Sequence, residues 1–140
     1  MQRYAQLLKD HGLKATFQRM HILHVIDEAG HMAIEDIYDQ VIKVHPSLSL
    51  ATIYKNTELM VEKGVLVEVP IVGKKSKYEL AKEDHIHLVC IECGKVEDKM
   101  CADRTESIFR ELSQHEHFQL HKRQINLYGV CQACQAKQAS

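Results

Sequence analysis

Hydrophobic positions in the N-terminal half repeat with a helical period. Tyr4, Leu7, Leu8 and His11 share one face, and Gly12 ends that element. Thr16 can cap a second helix with Met20, Leu23 and Ile26 turned inward and Gly30 just past its end. Ile34, Ile37, Tyr38, Val41 and Ile42 recur at i, i+3, i+4, i+7 and i+8, which predicts a third helix stopped before Pro46. A fourth, capped by Ser49 or Ser47, places Leu50, Ile53, Thr57 and Met60 or Val61 inside and closes at Gly64. Its other face carries few charges.

The pattern then changes to short strands. VLVEV (65–69) and SKYEL (76–80) predict a hairpin whose turn contains Pro70 and Gly73, with Lys74 and Lys75 at its tip. Short helices followed by a basic hairpin spell a winged helix-turn-helix over residues 1–80. From AKED (81–84) onward the texture is that of a second, α+β domain over residues 84–137. Its candidates are strands HIHLVC and KVEDK, a helix near 103–114, the long extended stretch HFQLHKRQINLYGVC, and a Gln/Ala-rich tail after Cys134. The fold class expected is α+β.

Composition narrows the class. A chain of 140 residues with 45% hydrophobic and 26% charged positions can bury one core or two small ones. No apolar run approaches the roughly 20 residues that span a bilayer, and MQRYAQLLKD lacks the apolar stretch of a secretory signal. A cytoplasmic protein with no membrane association is expected. The formal net charge of −1 makes any nucleic-acid binding local. Arg3, Lys9, Lys14 and Arg19 against Asp10 give the N-terminal end a modest basic face.

Four of the five cysteines fall as Cys90-x-x-Cys93 and Cys131-x-x-Cys134. In a reducing compartment two such knuckles supply the four thiolates of a closed, tetrahedral structural zinc site. The competing reading is a pair of thioredoxin-like redox motifs, but those open a helix in a βαβ setting, and neither pair is expected to do so. Cys101 is left over and is expected to be an inert thiol.

Ten histidines are an unusual enrichment. His85 and His87 alternate along a strand immediately before the first knuckle, so the zinc turn fixes the strand that carries them. Candidate partners are Glu79 at the end of the hairpin, Asp98 on the next strand and His31 after the second helix. Nitrogen and oxygen donors of this kind suit Fe(II), Mn(II) or Zn(II). Each residue taken singly has a plain alternative, an exposed loop histidine or a solvated carboxylate, and spacing alone does not unite them.

GLKATFQRMHIL, AIEDIYDQV, SLATIYKN, HIHLVCIECGKV and LYGVCQAC, in this order and spacing, resemble the Fur (ferric uptake regulator) family along nearly the whole chain. Phe17 departs from the proline that members usually carry there. The resemblance implies a homodimer with an N-terminal winged helix and a C-terminal α+β dimerisation domain, binding double-stranded DNA when a regulatory Fe²⁺ or Mn²⁺ is loaded. It carries Cys90, Cys93, Cys131 and Cys134 over as the structural Zn²⁺ site, and His31, Glu79, His85, His87 and Asp98 as the regulatory site. A second His-rich site of some members looks degraded, with Asp84, Ile86 and Arg123 at its positions and its acidic position near Thr105 or Glu106. His115, His117 and His121 lie nearby in sequence.

The fourth helix offers Thr52, Tyr54, Lys55 and Asn56 on its outward face, and the resemblance marks Tyr54 as a DNA contact. Lys14, Arg19, Lys74, Lys75 and Lys77 are candidates for phosphate contact, or for an ordinary solvated surface. A two-fold dimer implies a palindromic operator with half-sites about one helical turn apart.

Asp98 resembles the aspartate of the peroxide-sensing (PerR-type) branch, where Fe(II) reduces peroxide and a ligand histidine is oxidised. Glu79 resembles the choice of iron regulators, so a ferrous-iron uptake regulator is the alternative. From another class, a zinc-ribbon enzyme is weakened by the missing His-x-Glu of deaminases and the lack of HExxH, P-loop or GxGxxG motifs. No enzymatic activity is expected.

Overall fold

The computed structural model describes residues 2–82, 85–100, 103–121 and 123–138, so Asp84 and Cys101 lie outside the described residues. The chain divides into two compact units, Met1–Ala81 and Lys82–Ser140.

The first unit runs α1 (Gln2–Asp10), α2 (Phe17–Ala29), β1 (Met32–Ala33), α3 (Ile34–Val41), α4 (Leu50–Glu62), β2 (Leu66–Ile71) and β3 (Lys74–Leu80). Thr16 caps α2 by accepting the Arg19 N–H at 3.2 Å, and Ser49 caps α4 by accepting the Thr52 N–H at 3.1 Å. Gly30 ends α2 at φ +86°, a conformation costly for other residues, and its N–H donates back to the Ile26 carbonyl. Leu8, Ile22, Leu23, Ile26, Ile37, Val41, Ile53, Met60 and Leu66 meet in one core, each fully buried. Burying such a side chain stabilises by about 1.5–3 kcal/mol.

Three local expectations change. Ile22 joins Leu23 and Ile26 at the centre of the core, while Met20 packs half-buried at its edge. Leu50 is 43% exposed, because the first residue of a helix tilts its side chain back toward the N-terminus, past the core beneath Ile53. The hairpin turn is only Val72–Gly73, so Pro70 stands inside β2 and Lys74 and Lys75 open β3. Pro70 has no N–H to give the ladder, and the register shifts between Val69 and Ile71. The two-residue β1 was not legible in the pattern; it adds to β3 in an antiparallel sheet of order β1-β3-β2.

The second unit holds β4 (His85–Cys90), β5 (Val96–Met100), α5 (Asp103–His115), β6 (Ile125–Gly129) and α6 (Gln132–Gln138). Its sheet runs β5-β4-β6, with β4 antiparallel to β5 and parallel to β6. Among the described residues of the long stretch expected to be extended, only Ile125–Gly129 is strand, and Gln135–Gln138 of the Gln/Ala-rich tail lie in α6. Val89, Cys90 and Cys134 are buried with His87, whereas Leu88, Ile108, Leu112 and Leu127 are exposed. The first unit is thus a winged helix-turn-helix and the second a small α+β domain. Among the described residues no helix is long and apolar enough to cross a membrane.

Candidate metal centres and nucleic-acid interface

Cys90 ends β4 and Cys93 follows in the turn, while Cys131 precedes α6 and Cys134 lies in its first turn. The four are free thiols whose sulfurs lie within 4.8 Å of one another. Zinc–sulfur bonds of about 2.3 Å set tetrahedral sulfurs about 3.8 Å apart, and the Cys93 and Cys131 sulfurs stand at 3.8 Å. The backbone N–H groups of Cys93 and Cys131 donate to the Cys90 sulfur at 3.5 and 3.3 Å and hold its thiol down to about 6. Hydrogen bonding from Cys131, then burial, pushes Cys134 up to about 12. Thiols so close cannot all ionise without a cation among them, so the donor set fits a divalent ion. Cys131-x-x-Cys134 does open a helix, contrary to expectation. Its sulfurs nevertheless share a cluster with Cys90 and Cys93, which an isolated redox dithiol has no need of.

In the first unit, β1 pairs Met32 with Tyr78, and the next step of that ladder sets His31 beside Glu79. The His31 Nε2 to Glu79 Oε2 distance is 2.5 Å, and Glu79 is 0% exposed. A carboxylate this buried is costly unless a positive or ligand-type partner meets it.

In the second unit, His87 is 1% exposed and lies directly across the β4–β5 ladder from Asp98, with Nε2 at 3.6 Å from Oδ1. On the other side the parallel register places Asn126 against it, and His87 Nδ1 donates to Asn126 Oδ1 at 2.9 Å. That bond puts the proton on Nδ1 and leaves the Nε2 lone pair as the one that could ligate an ion. Lys82 donates to Asp98 Oδ2 at 3.1 Å. His85 opens β4, and its side chain lies outside the described residues. The structure thus pairs His31 with Glu79 and His87 with Asp98. Asn126 and Lys82 were missed, and nothing in their spacing marks them: both are placed by pairing distant in sequence.

On α4, Thr52, Tyr54 and Lys55 are exposed, Tyr54 by 48%. A groove of about 730 Å³ lies between Leu50, Tyr54 and Lys55 on one side and Lys74 and Tyr78 on the other. Asn56 is half-buried: its Oδ1 accepts from Arg19 Nε at 3.1 Å and its Nδ2 donates to the Thr52 carbonyl at 3.1 Å. Arg19 also donates to the Lys14 carbonyl at 2.9 Å. Arg19 and Asn56 therefore brace α2 against α4. Lys14 and Lys74 are exposed and Lys77 is half-buried. Lys75 pairs with Glu35 and holds that carboxyl below its usual range.

Arg123, which the resemblance sets at a histidine position of the second site of some family members, has an acidic partner instead. Arg123 forms an ion pair with Glu106 and lies 5.6 Å from the Phe109 ring centre. His115, His117 and His121 are exposed.

A family model described as the Ferric uptake regulator family matches residues 10–128. The chain is 34% identical over 139 residues to the Ferric uptake regulation protein of Vibrio anguillarum, covering 95% of this chain and 91% of that one. It is 30% identical over 135 residues to the Peroxide operon regulator of Bacillus subtilis, covering 95% and 92%. The crystal structure of the Campylobacter jejuni peroxide stress regulator superposes with a TM-score of 0.76 at 34% identity, covering 92% of this chain and 97% of that one.

Proposed function

Because the chain belongs to the ferric uptake regulator family, we propose that it is a repressor of the peroxide-sensing branch, its grip on DNA set by one divalent ion held by His31, Glu79, His85, His87 and Asp98. Membership makes it a metal-dependent transcription regulator and not an enzyme. We place it in the cytoplasm, with its DNA.

The observation that carries the reading is the burial of two ligand-type groups. Glu79 at 0% and His87 at 1% exposure each face a partner, His31 and Asp98, that is itself a metal donor. Imidazole and carboxylate suit Fe²⁺ or Mn²⁺. Asn126 orients His87, and the β1–β3 ladder orients His31. An ion that binds donors from both units favours the arrangement in which they meet, and it shifts the population only as far as it prefers that arrangement.

Zinc at Cys90, Cys93, Cys131 and Cys134 anchors the second unit. The exposed Leu88, Leu127, Ile108 and Leu112 supply the apolar face of a homodimer. On DNA, Tyr54, Thr52 and Lys55 meet base edges or phosphates of a palindromic operator, and Lys14 and Lys74 meet phosphates. Arg19 and Asn56 position α4.

Held by His31, Glu79, His85, His87 and Asp98, ferrous iron would supply the reducing chemistry that peroxide meets, and the ligand histidines are the side chains placed to take up oxygen. The test loads the protein with Fe(II) or Mn(II), adds peroxide, and looks by peptide mass for oxygen gained at His31 or His85. Oxidation under iron alone supports peroxide sensing. Its absence favours a ferrous-iron uptake regulator, the second reading, which Glu79 and the Vibrio anguillarum relative support. His31→Ala should abolish metal-dependent DNA binding without unfolding the protein, and metal-responsive binding in that variant would remove the shared ion from consideration.

A further inference from the structure

We propose that His21 and His45 form a third metal site, inside the first unit, that takes a divalent transition ion of the zinc type. Phe17, His21 and His24 fall on one face of α2 at helical spacing. His45 reaches them from the connector between α3 and α4, where its N–H donates to the Val41 carbonyl at 2.9 Å and its carbonyl accepts the Leu48 N–H at 3.2 Å. The connector is therefore anchored on both sides of the histidine.

Two observations point to a ligand. His21 Nδ1 and His45 Nε2 are both shielded from solvent, and neither has a hydrogen-bond partner. Shielded ring nitrogens without a partner are uncommon and ask for an explanation. The two orphaned atoms belong to the same ring pair, whose centroids are 5.4 Å apart at an interplanar angle of 61°.

That spacing is selective. With metal–nitrogen bonds of about 2.1 Å and ring centres roughly 1.1 Å behind each nitrogen, tetrahedral coordination puts two imidazole centroids about 5.3 Å apart. The His21–His24 separation of 6.5 Å would demand a nearly linear arrangement, so His24 is not a co-ligand in this rotamer. It packs instead between His21 and Tyr4, whose ring is 6.0 Å away. Neutral imidazole suits zinc, copper or nickel. An ion here would tie α2 to the connector that leads into the Ser49 cap of α4.

The test uses the full chain with zinc in its cysteine site and the substitutions His31→Ala and His87→Ala, so that the regulatory donors do not contribute. Cobalt(II) is the probe, followed by its visible absorption and by metal content after gel filtration. The expected result is one further cobalt per chain, with a rise in melting temperature. His21→Gln and His45→Gln, added singly, should each weaken that binding by roughly 100-fold, the upper end of what losing even an outer-shell partner costs. Helix content by circular dichroism verifies that each variant is folded, and His45→Asn serves if His45→Gln is not. No additional cobalt at submillimolar concentration would overturn the site. Binding that survives either substitution would overturn the bridging pair as well.

Discussion

Replacing Cys131 with serine, or stripping zinc with a strong chelator, should unfold the second unit and leave the first intact. Among the described residues of the second unit the buried apolar side chains are Val89, Cys90 and Cys134. At about 1.5–3 kcal/mol for a side chain the size of valine, these contribute only a few kcal/mol. Fixing the backbone of a single residue costs about 1–2 kcal/mol, and β4, β5, β6 and two helices must all be fixed. A four-thiolate zinc site supplies on the order of 10 kcal/mol, which decides the balance. The first unit has its own core around Leu23, Ile26, Ile53 and Met60 and needs no such staple. Hydrogen exchange read by mass spectrometry separates the two: without zinc, peptides from β4 and β6 should exchange at the unprotected rate while those from α2 and α4 stay slow. Size exclusion should show the dimer lost in parallel. Full protection of β4 in protein verified to be metal-free would refute the reasoning, and Cys101→Ser should leave the zinc content unchanged.

Lys74→Ala should lower operator affinity for all sequences alike and reduce the salt slope by about 1, whereas Tyr54→Ala should cost about 1–3 kcal/mol and relax sequence choice; salt-dependent binding to operator and scrambled fragments distinguishes them. Asn56→Ala removes the acceptor that holds the Arg19 guanidinium and should destabilise the first unit by about 1.5–3 kcal/mol in denaturant titration. Tyr4, buried and donating to Asp27 at 2.7 Å, has its phenol pushed up to about 12 from 10, first by burial and then by that hydrogen bond. The folded state thus favours the protonated phenol, so its contribution is complete below pH 10 and fades between pH 10 and about 12. Thermal melts across that range should show a decline that is shallower in Tyr4→Phe, with Tyr78, raised in the same direction by burial, accounting for part of what remains.

Helical periodicity made α2, α3 and α4 readable because the winged-helix core is built from one face of each, and the caps Thr16 and Ser49 stand where the pattern begins. What eluded it depends on partners far along the chain. β1 has only two residues and exists because β3 offers it an edge, so no local signal announces it. α6 was taken for a polar tail because its inward anchor is the thiol Cys134, which no hydropathy pattern weighs as core. The cysteine spacing disclosed its cluster fully, since each knuckle is local. His87 was legible as a donor but its partner Asn126 was not, because a parallel register is set by the crossover and not by adjacent sequence. The bond from Arg19 to Asn56 was hidden for a related reason, since it joins residues of two helices 37 positions apart.

Strand β4 carries His87 in its interior and Cys90 at its end, three residues of one rigid ribbon apart. On the proposed assignment of these two residues, zinc stands upstream of the regulatory ion as the first input of a logical AND. Newly made chains in a zinc-starved cell would then fail to hold the regulatory ion, and the genes they govern would be released by scarcity of a metal they do not sense.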